Sequence, residues 1–154
     1  MNTTKPKIIF AETPDEVSLS FCVYGCPFRC EGCHSPELRN PHDGIFLSPE
    51  VFEFYLTKYE KYVSCVLFMG GEYSKDIVNY LSLAHKHNLK TCLYTGMDVL
   101  TNAFKDEILP HLDYLKYGSY KRNFGPLTDR TTNQRYIKVD GWKDLTYKFY
   151  EKIT

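Results

Sequence analysis

Three cysteines, Cys26, Cys30 and Cys33, stand in the spacing C-x3-C-x2-C within the run GCPFRCEGCHSPE. Thiolates this close along a chain can hold an iron–sulfur cluster or a zinc ion. Three of them leave a cubane one ligand short, so one iron stays open to a substrate, by the logic of the open position in catalytic zinc sites. Cys22, four residues earlier, makes a four-cysteine zinc or electron-transfer site arithmetically available. Its place between Phe21 and Val23 in an alternating apolar run reads better as a core thiol. Cys65 and Cys92 lie alone in apolar runs and read as small buried hydrophobes. Gly25 and Gly32 bracket the cysteine loop and let its backbone fold tightly.

The elements around this loop follow from periodicity. Val17 to Tyr24 alternates and is rich in β-formers, which predicts a strand running into the cysteine loop. Ser48 and Pro49 open a helix whose apolar stripe is expected to be Val51, Phe54, Tyr55 and Tyr59. The run CVLFM predicts a buried parallel strand stopped by Gly70-Gly71. Ser74 begins a second helix facing inward with Ile77, Val78, Leu81 and Ala84. KTCLYT is a third strand, Asp98 to Leu109 a helix ended by Pro110, and LDYLKYG a fourth strand. RYIKV is expected as a fifth strand and Trp142 to Ile153 as a final helix. Alternating strands and helices imply βαβ units and a parallel sheet. A full eight-fold barrel needs about 250 residues, so the expected fold is α/β, an open partial (β/α) barrel of parallel strands. In such folds chemistry gathers at the carboxyl ends of the strands. The cysteine loop, Gly70-Gly71-Glu72 and Thr95-Gly96 each follow a strand and fall on that one edge.

Composition narrows the function classes. The chain has 154 residues, 43% hydrophobic and 16% aromatic, with 19 basic and 19 acidic side chains. No linker or repeat interrupts it, so a single domain over residues 1–154 is expected. Zero formal net charge removes the basic footprint of a nucleic-acid binder, and no direct nucleic-acid partner is expected. The longest apolar stretch, Val63 to Met69, falls far short of a membrane span, and the N-terminus has no apolar signal core. A cytoplasmic protein without membrane association is expected, and six cysteines there are not a disulfide framework.

With CPFRCEGC after a first strand and GGE after the second, the chain resembles the radical S-adenosylmethionine enzymes. YGCPFRCEGCHSPELRN is similar to the small activating enzymes of glycyl-radical proteins. LYTG, TTNQRYIKV and the short length are similar to the activases of anaerobic ribonucleotide reductase. The resemblance spans about Leu19 to Val139. It implies a 4Fe-4S cluster on Cys26, Cys30 and Cys33, its fourth iron chelated by the methionine moiety of S-adenosylmethionine. It implies that Gly70, Gly71 and Glu72 meet that methionine's ammonium group, and that Phe28, Gly32 and Thr95-Gly96 contact the adenosyl part. The implied activity is reductive cleavage of S-adenosylmethionine and transfer of the 5′-deoxyadenosyl radical's demand for hydrogen to a backbone glycine of a large partner. That partner is expected to be anaerobic ribonucleotide reductase, with a pyruvate formate-lyase-type enzyme as alternative, and the electron donor a flavodoxin or ferredoxin. Lys116, Lys121 and Arg122 read as a modest basic surface patch, and Asn133, Gln134 and Arg135 as a subfamily segment available to a cofactor or partner.

Overall fold

The computed structural model describes residues 1–150. In chain order its strands and α-helices are β1 (Asn2–Thr3), β2 (Lys7–Ile9), β3 (Ser18–Cys22), β4 (Ile45–Phe46), α1 (Pro49–Tyr59), β5 (Cys65–Met69), α2 (Ile77–Lys86), β6 (Lys90–Tyr94), β7 (Tyr114–Tyr117), β8 (Arg135–Lys138) and β9 (Lys143–Asp144). The fold is mixed α/β. A seven-stranded sheet has the order β2-β3-β5-β6-β7-β8-β9, and β1 pairs separately with β4.

The expectation of parallel strands throughout needs correction. Only β3, β5, β6 and β7 are mutually parallel. β2 joins antiparallel at one edge, and β8 and β9 join antiparallel at the other. RYIKV is a strand as expected, but no helix separates it from β7, so no right-handed crossover can form and the chain returns antiparallel. The expected helix over Asp98 to Leu109 is instead a wide turn at Phe104–Ile108, where the Leu109 amide bonds the Phe104 carbonyl, followed by a tight turn at Leu109–His111. Pro110, which lacks an amide proton, stops a regular helix here. The expected terminal helix is β9 and a short turn at Thr146–Phe149, and residues 151–153 of that segment lie outside the described residues.

Strand alternation sorts the sheet into two faces. Leu19, Phe21, Val66, Phe68, Leu93 and Leu115 meet the helices in the larger core. Phe21, Phe52, Phe68 and Tyr80 interlock there, with ring centroids 4.9 to 6.2 Å apart. Tyr80 donates its buried hydroxyl to the Leu47 carbonyl. α1 buries Phe52 and Leu56; of the expected stripe Tyr55 and Tyr59 pack against that core, while Phe54 is 62% exposed and Val51 41%. α2 buries Ile77, Tyr80, Leu81 and Ala84. On the opposite face a smaller core gathers Cys65, Leu67, Cys92, Tyr114, Tyr136, Leu145 and Phe149. Cys65 and Cys92 are fully buried, as expected.

At the amino end of the parallel strands, buried Glu16 ties the elements together. It pairs with Lys90, accepts the Tyr114 hydroxyl at 3.0 Å and accepts the Ser64 hydroxyl. This leaves the carboxyl edge free to be shaped by loops.

Candidate functional site

The carboxyl edge carries a cleft of about 530 Å³. Its floor is one cross-strand row: Cys22 of β3 is in register with Met69 of β5, Met69 with Tyr94 of β6, and Tyr94 with Lys116 of β7. All four side chains line the cleft. The Cys22 thiol donates to the Met69 sulfur at 3.8 Å, and the Lys116 ammonium stands 5.4 Å from the centre of the Tyr94 ring. Alternation explains why Cys22 faces the cleft rather than the helix-side core: Leu19 and Phe21 occupy the other face of β3.

Loops after the strands build the walls. Gly70 and Gly71 follow β5 at φ of +88° and +99°, a conformation that favours glycine, and a side chain at Gly71 would press on Val23. This doublet turns the chain so that Glu72 enters the cleft, 9% exposed. Burial pushes its carboxyl pKa up, opposed by the Thr95 hydroxyl, which donates to Oε1 at 2.7 Å, and by the Lys116 charge. Lys116 is itself pushed down to about 8 by burial, against the pull of nearby Cys30, Glu72 and Cys26. A carboxylate and an ammonium therefore share one partly desolvated cleft.

The residues predicted for the site divide in two. Cys26, Cys33, Phe28, Gly70, Gly71 and Glu72 line the cleft, while Cys30, Gly32 and Thr95 do not. Thr95 sits behind Glu72 and holds it. Phe28 packs against Gly96, where a Cβ would come within 2.8 Å of its ring, and its ring centroid lies 6.3 Å from that of Tyr73. Gly32 packs under the guanidinium of Arg122, which also pairs with Glu31 at 3.5 Å. His34 packs edge-on to Tyr120. Asn133 and Arg135 bond backbone carbonyls of Ser119, Thr132 and Gln134, bracing a turn. Lys116, expected on a basic surface patch, belongs to the cleft; its signal in the sequence was its place near the carboxyl end of a strand, two residues past inward-facing Tyr114.

The 4Fe-4S single cluster domain, as a family, matches residues 16–137, most of the chain. The chain belongs to that family. No curated protein matches it. The matched span covers every strand of the cleft floor and the whole cysteine loop. The chain is thus an iron–sulfur binding domain.

Within this family assignment, the expected cofactor arrangement is overturned. Among the described residues, no group of three or more His, Cys, Asp or Glu side chains comes together closely enough to hold a metal ion. Cys26, Cys30 and Cys33 therefore do not form the three-thiolate set with one open iron and S-adenosylmethionine on it, and adding Cys22 does not complete a four-cysteine set either. The loop's backbone gives the reason. Between Cys26 and Cys33 only one backbone hydrogen bond closes a turn, from the Cys33 amide to the Cys30 carbonyl, so nothing converges the sulfurs. The Cys33 sulfur accepts the Ser35 amide at 3.4 Å, and burial pushes the Cys26 thiol pKa up. Among the described residues no helix is long and apolar enough to cross a membrane.

Proposed function

We propose that this iron–sulfur domain is an activating enzyme of the radical S-adenosylmethionine type, which cleaves that sulfonium reductively and installs a glycyl radical on a large partner protein. The observation that carries the reading is the presence of both Glu72 and Lys116 in one cleft at the carboxyl edge of the parallel strands. An α-amino acid presents an ammonium and a carboxylate side by side, and Glu72 and Lys116 complement both in a site where water is partly excluded. The cleft volume of about 530 Å³ lies within the range that small-molecule sites occupy. Gly70 and Gly71 keep that wall free of side chains, Thr95 aims Glu72, and Phe28 and Tyr73 provide apolar surface for a nucleoside ring. The residues of this chain bind and orient the substrate.

The sheet, with parallel strands at its centre and antiparallel edges, is read here as an open relative of a (β/α) barrel, its side left for a partner's glycine loop. Anaerobic ribonucleotide reductase is the first partner to test, a pyruvate formate-lyase-type enzyme the second, and a flavodoxin or ferredoxin the electron source. The decisive experiment incubates anaerobically purified, reduced protein with S-adenosylmethionine and measures 5′-deoxyadenosine. Glu72→Gln should lower the yield by about tenfold or more, the loss of one charge-assisted contact. Absence of 5′-deoxyadenosine from the parent protein defeats the proposal. A glycyl-radical doublet on one partner and not the other selects between them.

A further inference from the structure

A second cavity, of about 500 Å³, shares no residue with the cleft. It lies between the segment after β6 and the turn joining β8 to β9. We propose that it binds a small planar aromatic anion.

Val99, Leu100 and Leu109 give the cavity an aliphatic lining. Tyr117 and Trp142 supply its aromatic wall, their ring centroids 6.2 Å apart and their planes inclined by 34°. Flat rings stack on such surfaces in offset or edge-on geometry, whereas an aliphatic ligand gains only area. The charged groups select the sign. Asp98 is already engaged: its carboxylate accepts the Ser119 amide at 2.9 Å and the Ser119 hydroxyl at 3.0 Å, and faces Lys121 at 3.8 Å. Lys105, on the same wall, has no side-chain hydrogen bond or ion pair among the described residues. A ligand in this cavity therefore meets one unanswered charge, and it is positive.

The backbone adds an independent observation. Gly141 and Trp142 follow one another at φ of +75° and +48°. A glycine adopts this region readily, a tryptophan does so rarely, and such outliers concentrate where structure serves binding. Here the left-handed turn holds the indole beside Tyr117 with 47% of its surface exposed, instead of tucking it into either core.

Trp142 is the only tryptophan of the chain, so fluorescence excited at the red edge of the indole band, where the tyrosines absorb little, reports on this cavity. The test titrates the full chain with naphthoate and, in parallel, with the neutral naphthalenemethanol. Naphthoate is expected to quench Trp142 saturably and to bind about fivefold more tightly than the neutral ring, the scale of one exposed ion pair. Lys105→Met should abolish that preference and leave naphthalenemethanol binding unchanged. Val99→Glu, at a position 80% exposed and so safe for folding, should weaken naphthoate by at least about fivefold. Quenching that does not saturate, equal affinity for the two rings, or a preference that survives Lys105→Met overturns the proposal. None of these readouts depends on cleavage of S-adenosylmethionine.

Discussion

At the residue scale, Lys116 is the most informative side chain of the cleft. Burial disfavours its charge and brings its pKa down to about 8. Below that value it is protonated in both the folded and unfolded chain, and the folded state carries the full cost of a desolvated ammonium. Between about 8 and the ordinary lysine value the unfolded chain binds more protons, so this group's contribution to stability improves as pH rises. Replacing Lys116 by Met is therefore expected to stabilise the fold most below pH 8 or so, with the advantage over the parent shrinking as pH climbs. Paired urea titrations at neutral and alkaline pH measure that difference, and an advantage that stays constant or grows refutes the assignment. Its place near the carboxyl end of a strand hinted at this role, but its grouping with other basic residues in sequence obscured it. Lys116, Lys121 and Arg122 are neighbours in sequence, yet the first is on β7 pointing into the cleft, the second pairs with Asp98, and the third covers Gly32. Only the register of four strands distinguishes them.

At the element scale, the parallel core was legible because its signals are local. The runs at Cys65–Met69 and Lys90–Tyr94 are short, apolar and ended by glycine or a loop, and both are strands of the sheet. The start of α1 was equally plain: Ser48 accepts the Val51 amide at 3.2 Å, with Pro49 in the first turn. Ser48→Ala should cost about 0.5–2 kcal/mol of stability, read as a lowered urea midpoint with an unchanged slope. The buried face of α1 was legible only in part, since Tyr55 and Tyr59 pack against the core and Val51 and Phe54 do not. Val51, Phe52, Phe54, Tyr55, Leu56 and Tyr59 put apolar groups almost all round the helix, and the choice of Phe52 and Leu56 is made by Phe21, Phe68 and Tyr80 across the interface. The two-residue strands β1, β4 and β9 are shorter than any period, so no pattern can announce them. The cysteine spacing likewise narrowed the site to iron–sulfur or zinc chemistry, and the family match is to an iron–sulfur domain, but it left the sulfur positions undetermined, because spacing limits how far thiols can separate and does not make them converge.

At the scale of the whole molecule, a central parallel sheet ties distant stretches of chain while its edges are closed by local antiparallel returns. The cleft forms where the two regimes meet, with its floor set by sheet register and its walls by loops. Asn2 pairs with Phe46 and Thr3 with Ile45, so the β1–β4 ribbon joins the start of the chain to the far end of the cysteine loop. The span from Gly25 to Gly44 is thereby clamped at its ends, with few backbone hydrogen bonds of its own between them. Such a segment can open and reclose as a unit without disturbing the sheet. Amide hydrogen exchange should divide the molecule accordingly. Amides over residues 27–37 should exchange orders of magnitude faster than those of β5 and β6, except the bonded Cys33 and Ser35 amides, and denaturant too weak to unfold the sheet should leave that fast group unaffected. Uniform protection across both regions would mean that loop and sheet open together. A loop held only at its ends can change its sequence at little cost to the sheet, so the chemistry it carries and the stability of the fold are open to independent selection.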